Sequence, residues 1–149
     1  IFEFLMGEGR DLYKNGGAAR RFQDAVLTNL LHTSIVSGFA DGSGQLAVAH
    51  ATYDFLRTHH TEASYHFLHG EMVAVGLLVQ MAYNGSSQEE IQAVRSLMAD
   101  MHMPLTLADL EYDCSGAQRD FFLQTIAADA NITTPADMSL LRAALEEAL

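Results

Sequence analysis

The chain has 149 residues, 49% of them apolar and 18% charged, which excludes a disordered protein and gives enough length for one buried core. Eight basic residues against 19 acidic ones leave a formal net charge of −11, which argues against nucleic acid and anionic membrane as partners. No apolar run reaches the roughly eighteen residues of a membrane-spanning helix, no signal segment opens the chain, and the single Cys114 forms no internal disulfide, which fits a reducing, cytoplasmic setting.

Two prolines and a wealth of helix formers predict an all-α domain spanning residues 1–149. Residues 2–13 carry Phe2, Leu5, Met6 and Leu12 at helical spacing, and Asn15-Gly16-Gly17 breaks the pattern. Residues 18–37 repeat it with Phe22, Ala25, Val26, Asn29, Leu30, Thr33 and Val36, before Gly38 and Asp41-Gly42-Ser43-Gly44 punctuate. A helix over 45–57 contains His50. A loop of His, Thr and Ser leads to residues 71–83, apolar almost all round and so predicted to be central to the core. Asn84-Gly85 stops that helix. Ser86 with Glu89 three residues on has the capping-box pattern for a helix through Met101. Pro104 ends that helix, and residues 106–110 read as one short helical turn. Helices over 116–128 and 136–149 complete the set, the last with Pro135 in its first turn.

Five of the seven histidines fall between His50 and His69: these two, His59, His60 and His66. Neutral imidazole is the commonest protein ligand for zinc and its neighbours. His50 lies among alanines and His69 opens the buried helix, so a helix–loop–helix brings the two rings together. Gly70 lets backbone pass close to a ligand. A catalytic zinc takes three protein ligands plus water, and this pattern supplies two. The competing reading is a pair of hydrogen-bonded core histidines. Glu71 is either a third ligand, an acid/base group or a helix N-terminal carboxylate. His59 and His60 read as exposed loop residues, and Met98, Met101 and Met103 as core filler. Cys114 is an ordinary free thiol. No phosphate loop after a strand, Walker lysine or nucleophile elbow is present, and Gly42-Ser43-Gly44 before a helix is only a weak anion-site match.

Three segments carry a resemblance: Gly38-Phe39-Ala40-Asp41-Gly42-Ser43-Gly44-Gln45-Leu46-Ala47-Val48-Ala49-His50-Ala51, then His69-Gly70-Glu71-Met72-Val73-Ala74-Val75-Gly76-Leu77-Leu78, then Met103-Pro104-Leu105-Thr106-Leu107-Ala108-Asp109-Leu110. Over roughly residues 18–149 the chain resembles the glycerol dehydrogenase branch of the metal-dependent (iron-type) alcohol dehydrogenases, and that branch's relatives that reduce 2-oxo acids. The resemblance implies the all-α C-terminal domain of these dehydroquinate synthase-like enzymes. It implies His50 and His69 as metal ligands for zinc or iron. It also implies hydride transfer between NAD(P) and a small-molecule polyol, alcohol or 2-hydroxy acid, with the metal polarising the substrate oxygen.

The family's nucleotide-binding domain, which holds NAD(P), has no counterpart in these residues, and its aspartate metal ligand lies upstream. The chain opens at Ile1 inside an apolar segment, and the expectation is an N-terminally truncated, inactive portion of such an enzyme. Where the family often has a second histidine three or four residues after the first, this sequence has Tyr53 and Asp54. Asp54, four residues from His50, is a candidate ligand or ring-orienting partner. Exposure of Ile1, Phe2, Phe4, Leu5 and Met6 predicts a homo-oligomer. The alternatives are a stand-alone helical metal-binding or oligomerisation module, and a structural domain with relic histidines.

Overall fold

The computed structural model describes residues 1–32, 34–35 and 47–148, and the regular structure among them is entirely helical. The chain divides into two compact units, Ile1–Gly44 and Gln45–Leu149. No helix among the described residues is long and apolar enough to cross a membrane.

In the first unit, α1 (Phe2–Asn15) ends where Gly16 takes a φ of 50°, a left-handed conformation that glycine adopts without steric cost. A 3-10 turn (Gly16–Ala18) follows, and Ala19 is extended. The helix expected from residue 18 therefore starts later, as α2 (Phe22–Leu27), and widens into a π turn over Thr28–His32. Residues 18–21, which periodicity assigned to its first turn, instead form the end of the 3-10 turn and a bend. Arg21 anchors this start, pairing with Asp24 and lying 5.1 Å above the Phe4 ring. Ile1, Phe2 and Leu5 are exposed as expected, whereas Phe4 and Met6 are half-buried. The predicted helical positions Thr33, Val36 and Ser37, and the Gly42-Ser43-Gly44 run, lie outside the described residues.

The second unit holds α3 (Val48–His59), a single turn α4 (Thr61–Ser64), α5 (His69–Tyr83), α6 (Gln88–Asp100), α7 (Gly116–Asp129) and α8 (Pro135–Ala148). The apolar α5 is central, packing against α3, α6 and α8, while α7 covers α3 and α8. Phe55, Leu56, Met72, Leu78, Ile91, Phe122, Ile126 and Leu141 are almost wholly removed from water. Phe55 meets Phe122 edge to face, with centroids 4.9 Å apart. Gln80, the polar residue inside the apolar run, accepts the Val48 N–H at 2.7 Å. It thereby satisfies one of the donors left over at the start of α3.

Helix ends explain where the predicted boundaries shift. Gly85, at φ 76°, closes α5, and the Ser86 N–H donates back to the Met81 carbonyl in a Schellman closure. Ser86 is thus part of the preceding helix's end, and the capping box moves one residue on. The Ser87 hydroxyl accepts the Glu90 N–H, while the Glu90 carboxylate accepts the Ser87 N–H at 2.9 Å. Six-residue closures of the same kind follow His102, Glu111 and Asn131, three non-glycine residues with φ of 56°, 61° and 55°. Residues 107–111 are consequently a turn, not a helix, pinned where Asp109 accepts the Leu105 and Thr106 N–H groups. At α8 the Thr134 hydroxyl accepts the Asp137 N–H, and Pro135 fills the first helical position.

Candidate metal centre

The site is built on the crossing of α3 and α5. Ala49, Ala51 and Thr52 line the buried side of α3, and Gly76 of α5 comes against them. A Cβ on Gly76 would stand 2.8 Å from the Ala49 carbonyl oxygen and from Thr52 Oγ1, so only glycine permits this approach. Thr52 hides its polar atom by donating to the Val48 carbonyl at 2.9 Å. The helices run in opposite senses, since Val48 meets Gln80 near the end of α5 whereas Tyr53 meets His69 at its beginning.

His50, third residue of α3, and His69, first residue of α5, are both exposed on the same face, with ring centroids 5.8 Å apart. Two imidazoles bound to one zinc at about 2.1 Å each stand with centroids roughly 5–6 Å apart, so the spacing fits shared ligation. Among the described residues no group of three His, Cys, Asp or Glu side chains is arranged to hold an ion. The pair presents two imidazoles on one face, one fewer than the three protein ligands of a catalytic zinc. Tyr53 packs edge-on to His69 with a centroid separation of 4.2 Å. No side-chain hydrogen bond joins its neighbour Asp54 to the His50 ring, although both lie on α3. Glu71 is occupied at the helix start, where its carboxylate accepts the Leu68 N–H at 2.7 Å, as the dipole of α5 favours.

The other three clustered histidines lead elsewhere. His59 is the last residue of α3, and its ring packs 5.0 Å from Phe55 and 4.9 Å from Phe121. His60 Nε2 bonds the Glu111 carbonyl at 2.9 Å, and His66 Nδ1 lies 3.3 Å from the Glu111 carboxylate. Of the two expected to be exposed loop residues, His59 is exposed but ends the helix α3, and His60 lies in the bend after it but is half-buried. Phe121 packs on His59 and the Leu107–Glu111 turn holds His60, contacts between residues too distant in sequence to be read from it. Tyr53, noted in the sequence only as standing in the place of a histidine, packs on His69, and its spacing of three from His50 was the available signal.

Burial, with help from nearby Cys114 and Asp113, pushes the Tyr112 phenol up to about 12, and its hydroxyl donates to the Gln118 carbonyl at 3.0 Å. Burial also raises the Cys114 thiol, against the lowering influence of Arg119, which makes it a poor nucleophile at neutral pH, as sequence implied.

These features define an all-α domain of the type that glycerol dehydrogenases carry at their C-terminal end. The chain is glycerol dehydrogenase-like over about half its length or more. It is 42% identical over 76 residues, 51% of the chain, to a glycerol dehydrogenase of Pseudomonas putida. It is 34% identical over 95 residues, 64% of the chain, to glycerol dehydrogenase 1 of Schizosaccharomyces pombe. A hydroxycarboxylate dehydrogenase A of Escherichia coli K12 is 34% identical over 101 residues, 67% of the chain. The likeness is partial: the matched stretches span 20%, 20% and 27% of those relatives. No protein-family model and no solved structure matches the chain.

Proposed function

We propose that this chain is the helical, metal-holding portion of an NAD(P)-dependent oxidoreductase that resembles glycerol dehydrogenase. Its substrate class is a small polyol or alcohol, or a 2-oxo acid and its 2-hydroxy counterpart. The observation that carries the reading is the convergence of His50 and His69 from two helices to 5.8 Å, within the part of the sequence that resembles those enzymes. His50 and His69 would hold the metal, zinc or iron, and a metal there polarises an alcohol or carbonyl oxygen as a Lewis acid.

The chain's own residues contribute position. The Gly76 crossing fixes the separation of the helices, Gln80 ties the start of α3 to α5, and Glu71 closes the first turn beneath His69. Hydride transfer also needs a nicotinamide site, and the described residues hold no strand from which a dinucleotide fold is built. In this reading NAD(P) is held by a separate nucleotide-binding domain, as the resemblance implies, and the 149 residues alone are inactive. A cytoplasmic protein is proposed from the single cysteine and the family resemblance.

Calorimetric zinc titration of the chain and of His50→Ala tests the metal half of the reading. Binding that disappears in the variant supports it, and equal heats in both contradict it. Following nicotinamide absorbance with glycerol or lactate tests the other half, where the chain alone should show no turnover.

A second reading, a helical oligomerisation module, draws on one observation in the first unit. Ile1, Phe2, Leu5, Leu27, Leu30 and Leu31 are exposed together with Tyr13 and Ile35. Apolar surface of that extent favours self-association, so a homo-oligomer is part of both readings.

A further inference from the structure

We propose that Tyr53 is a positioning residue for His69, an inference that rests on the reading of His50 and His69 as metal ligands. His60 and His66 are held by Glu111, and His59 is wedged against Phe55 and Phe121. The rings of His50 and His69, in contrast, make no hydrogen bond among the described residues. An exposed imidazole at the first position of a helix samples several rotamers, and a ligand must occupy one of them. The contact that selects a rotamer for His69 is the Tyr53 ring, edge-on at 67° with centroids 4.2 Å apart.

In that orientation His69 lies 5.8 Å from His50. Tyr53 sits three residues beyond His50 on α3, so one helix presents both a ligand and the support for the ligand opposite. Metal ligands are ordinarily oriented by a hydrogen bond to a carboxylate or carbonyl. Here an aromatic edge takes that part, and the neighbouring carboxylate of Asp54 does not reach His50 with a hydrogen bond. Because the support is a ring and not a polar bond, the phenol oxygen is dispensable and the ring is not.

The test is zinc titration of the full chain beside Tyr53→Ala and Tyr53→Phe, together with the His69 ring-proton resonances of each metal-free protein. Zinc affinity on the order of tenfold weaker in Tyr53→Ala, and within about twofold of wild type in Tyr53→Phe, is the expected pattern. The His69 resonances should shift in Tyr53→Ala and hold in Tyr53→Phe, since the ring current of the neighbour is lost only in the first. If Tyr53→Ala loses helical circular dichroism, Tyr53→Leu takes its place, keeping bulk without a ring. Equal affinities in wild type and the ringless variant overturn the positioning role and leave the metal centre standing. Wild type that binds no zinc overturns the metal centre, and the role of Tyr53 with it.

Discussion

Gly76 of α5 lies so close to Thr52 of α3 that a single added Cβ would stand 2.8 Å from the threonine hydroxyl oxygen. This one contact sets the separation of the two helices that carry His50 and His69. Gly76→Ala should therefore destabilise the fold by about 1–3 kcal/mol through overpacking, and should also weaken zinc binding by moving the rings apart. Thermal unfolding and zinc titration of the variant measure both. Wild-type affinity in a destabilised variant would uncouple the crossing from the site.

Phe122 is wholly buried and packs edge-on to Phe55. Phe122→Ala should cost about 3–5 kcal/mol, the usual range for removing a buried aromatic ring. Denaturant titration measures it. A loss under about 1 kcal/mol would place this ring outside the cooperative core.

His102 holds a φ of 56° to close α6, a conformation that costs an ordinary L residue roughly 1–2 kcal/mol. His102→Gly should raise the unfolding midpoint, with about 1 kcal/mol gained from relief of that strain. A lowered midpoint would mean that contacts of the histidine side chain outweigh its backbone strain.

Glu90 is held below the usual carboxylate range chiefly by the Ser87 backbone N–H, and further by the Ser87 hydroxyl. A carboxylate depressed in the folded state adds stability above its unfolded pKa, and that contribution is lost as pH falls through the lower, folded value. Asp109, lowered mainly by the Leu105 N–H, behaves alike. Unfolding midpoints should fall as the solution is acidified through the carboxylate range. Ser87→Ala should cost about 1 kcal/mol at neutral pH and flatten part of that acid limb. An unchanged acid limb would rule out the Ser87 hydroxyl as a contributor, since the variant keeps the backbone N–H.

The all-α class and most helices were legible because their signals are local. Phe122, Leu123 and Ile126 recur at helical spacing, Gly85 stops α5, and Pro135 opens α8. The boundaries that shifted did so for reasons of hydrogen bonding. The Ser86 N–H is consumed by the Met81 carbonyl, so Ser87 becomes the cap, although both serines stand three residues before a glutamate. Left-handed closures at His102 and Glu111 carry no glycine to announce them. The histidine cluster was legible as a list and not as a site. Nothing local distinguishes His59 and His60, which α7 and the Leu107–Glu111 turn claim, from His50 and His69, which remain together on one face. The edge contact of Tyr53 likewise depends on where α5 begins, two residues before the predicted start.

The most direct test of the account is the metal content of the purified chain by mass spectrometry after zinc saturation, beside His50→Ala and His69→Ala. About one zinc per wild-type chain and its loss in each variant are expected, since binding requires both deprotonated imidazoles. Wild type without zinc, or zinc retained equally by both variants, would contradict the assignment of this face as a metal centre.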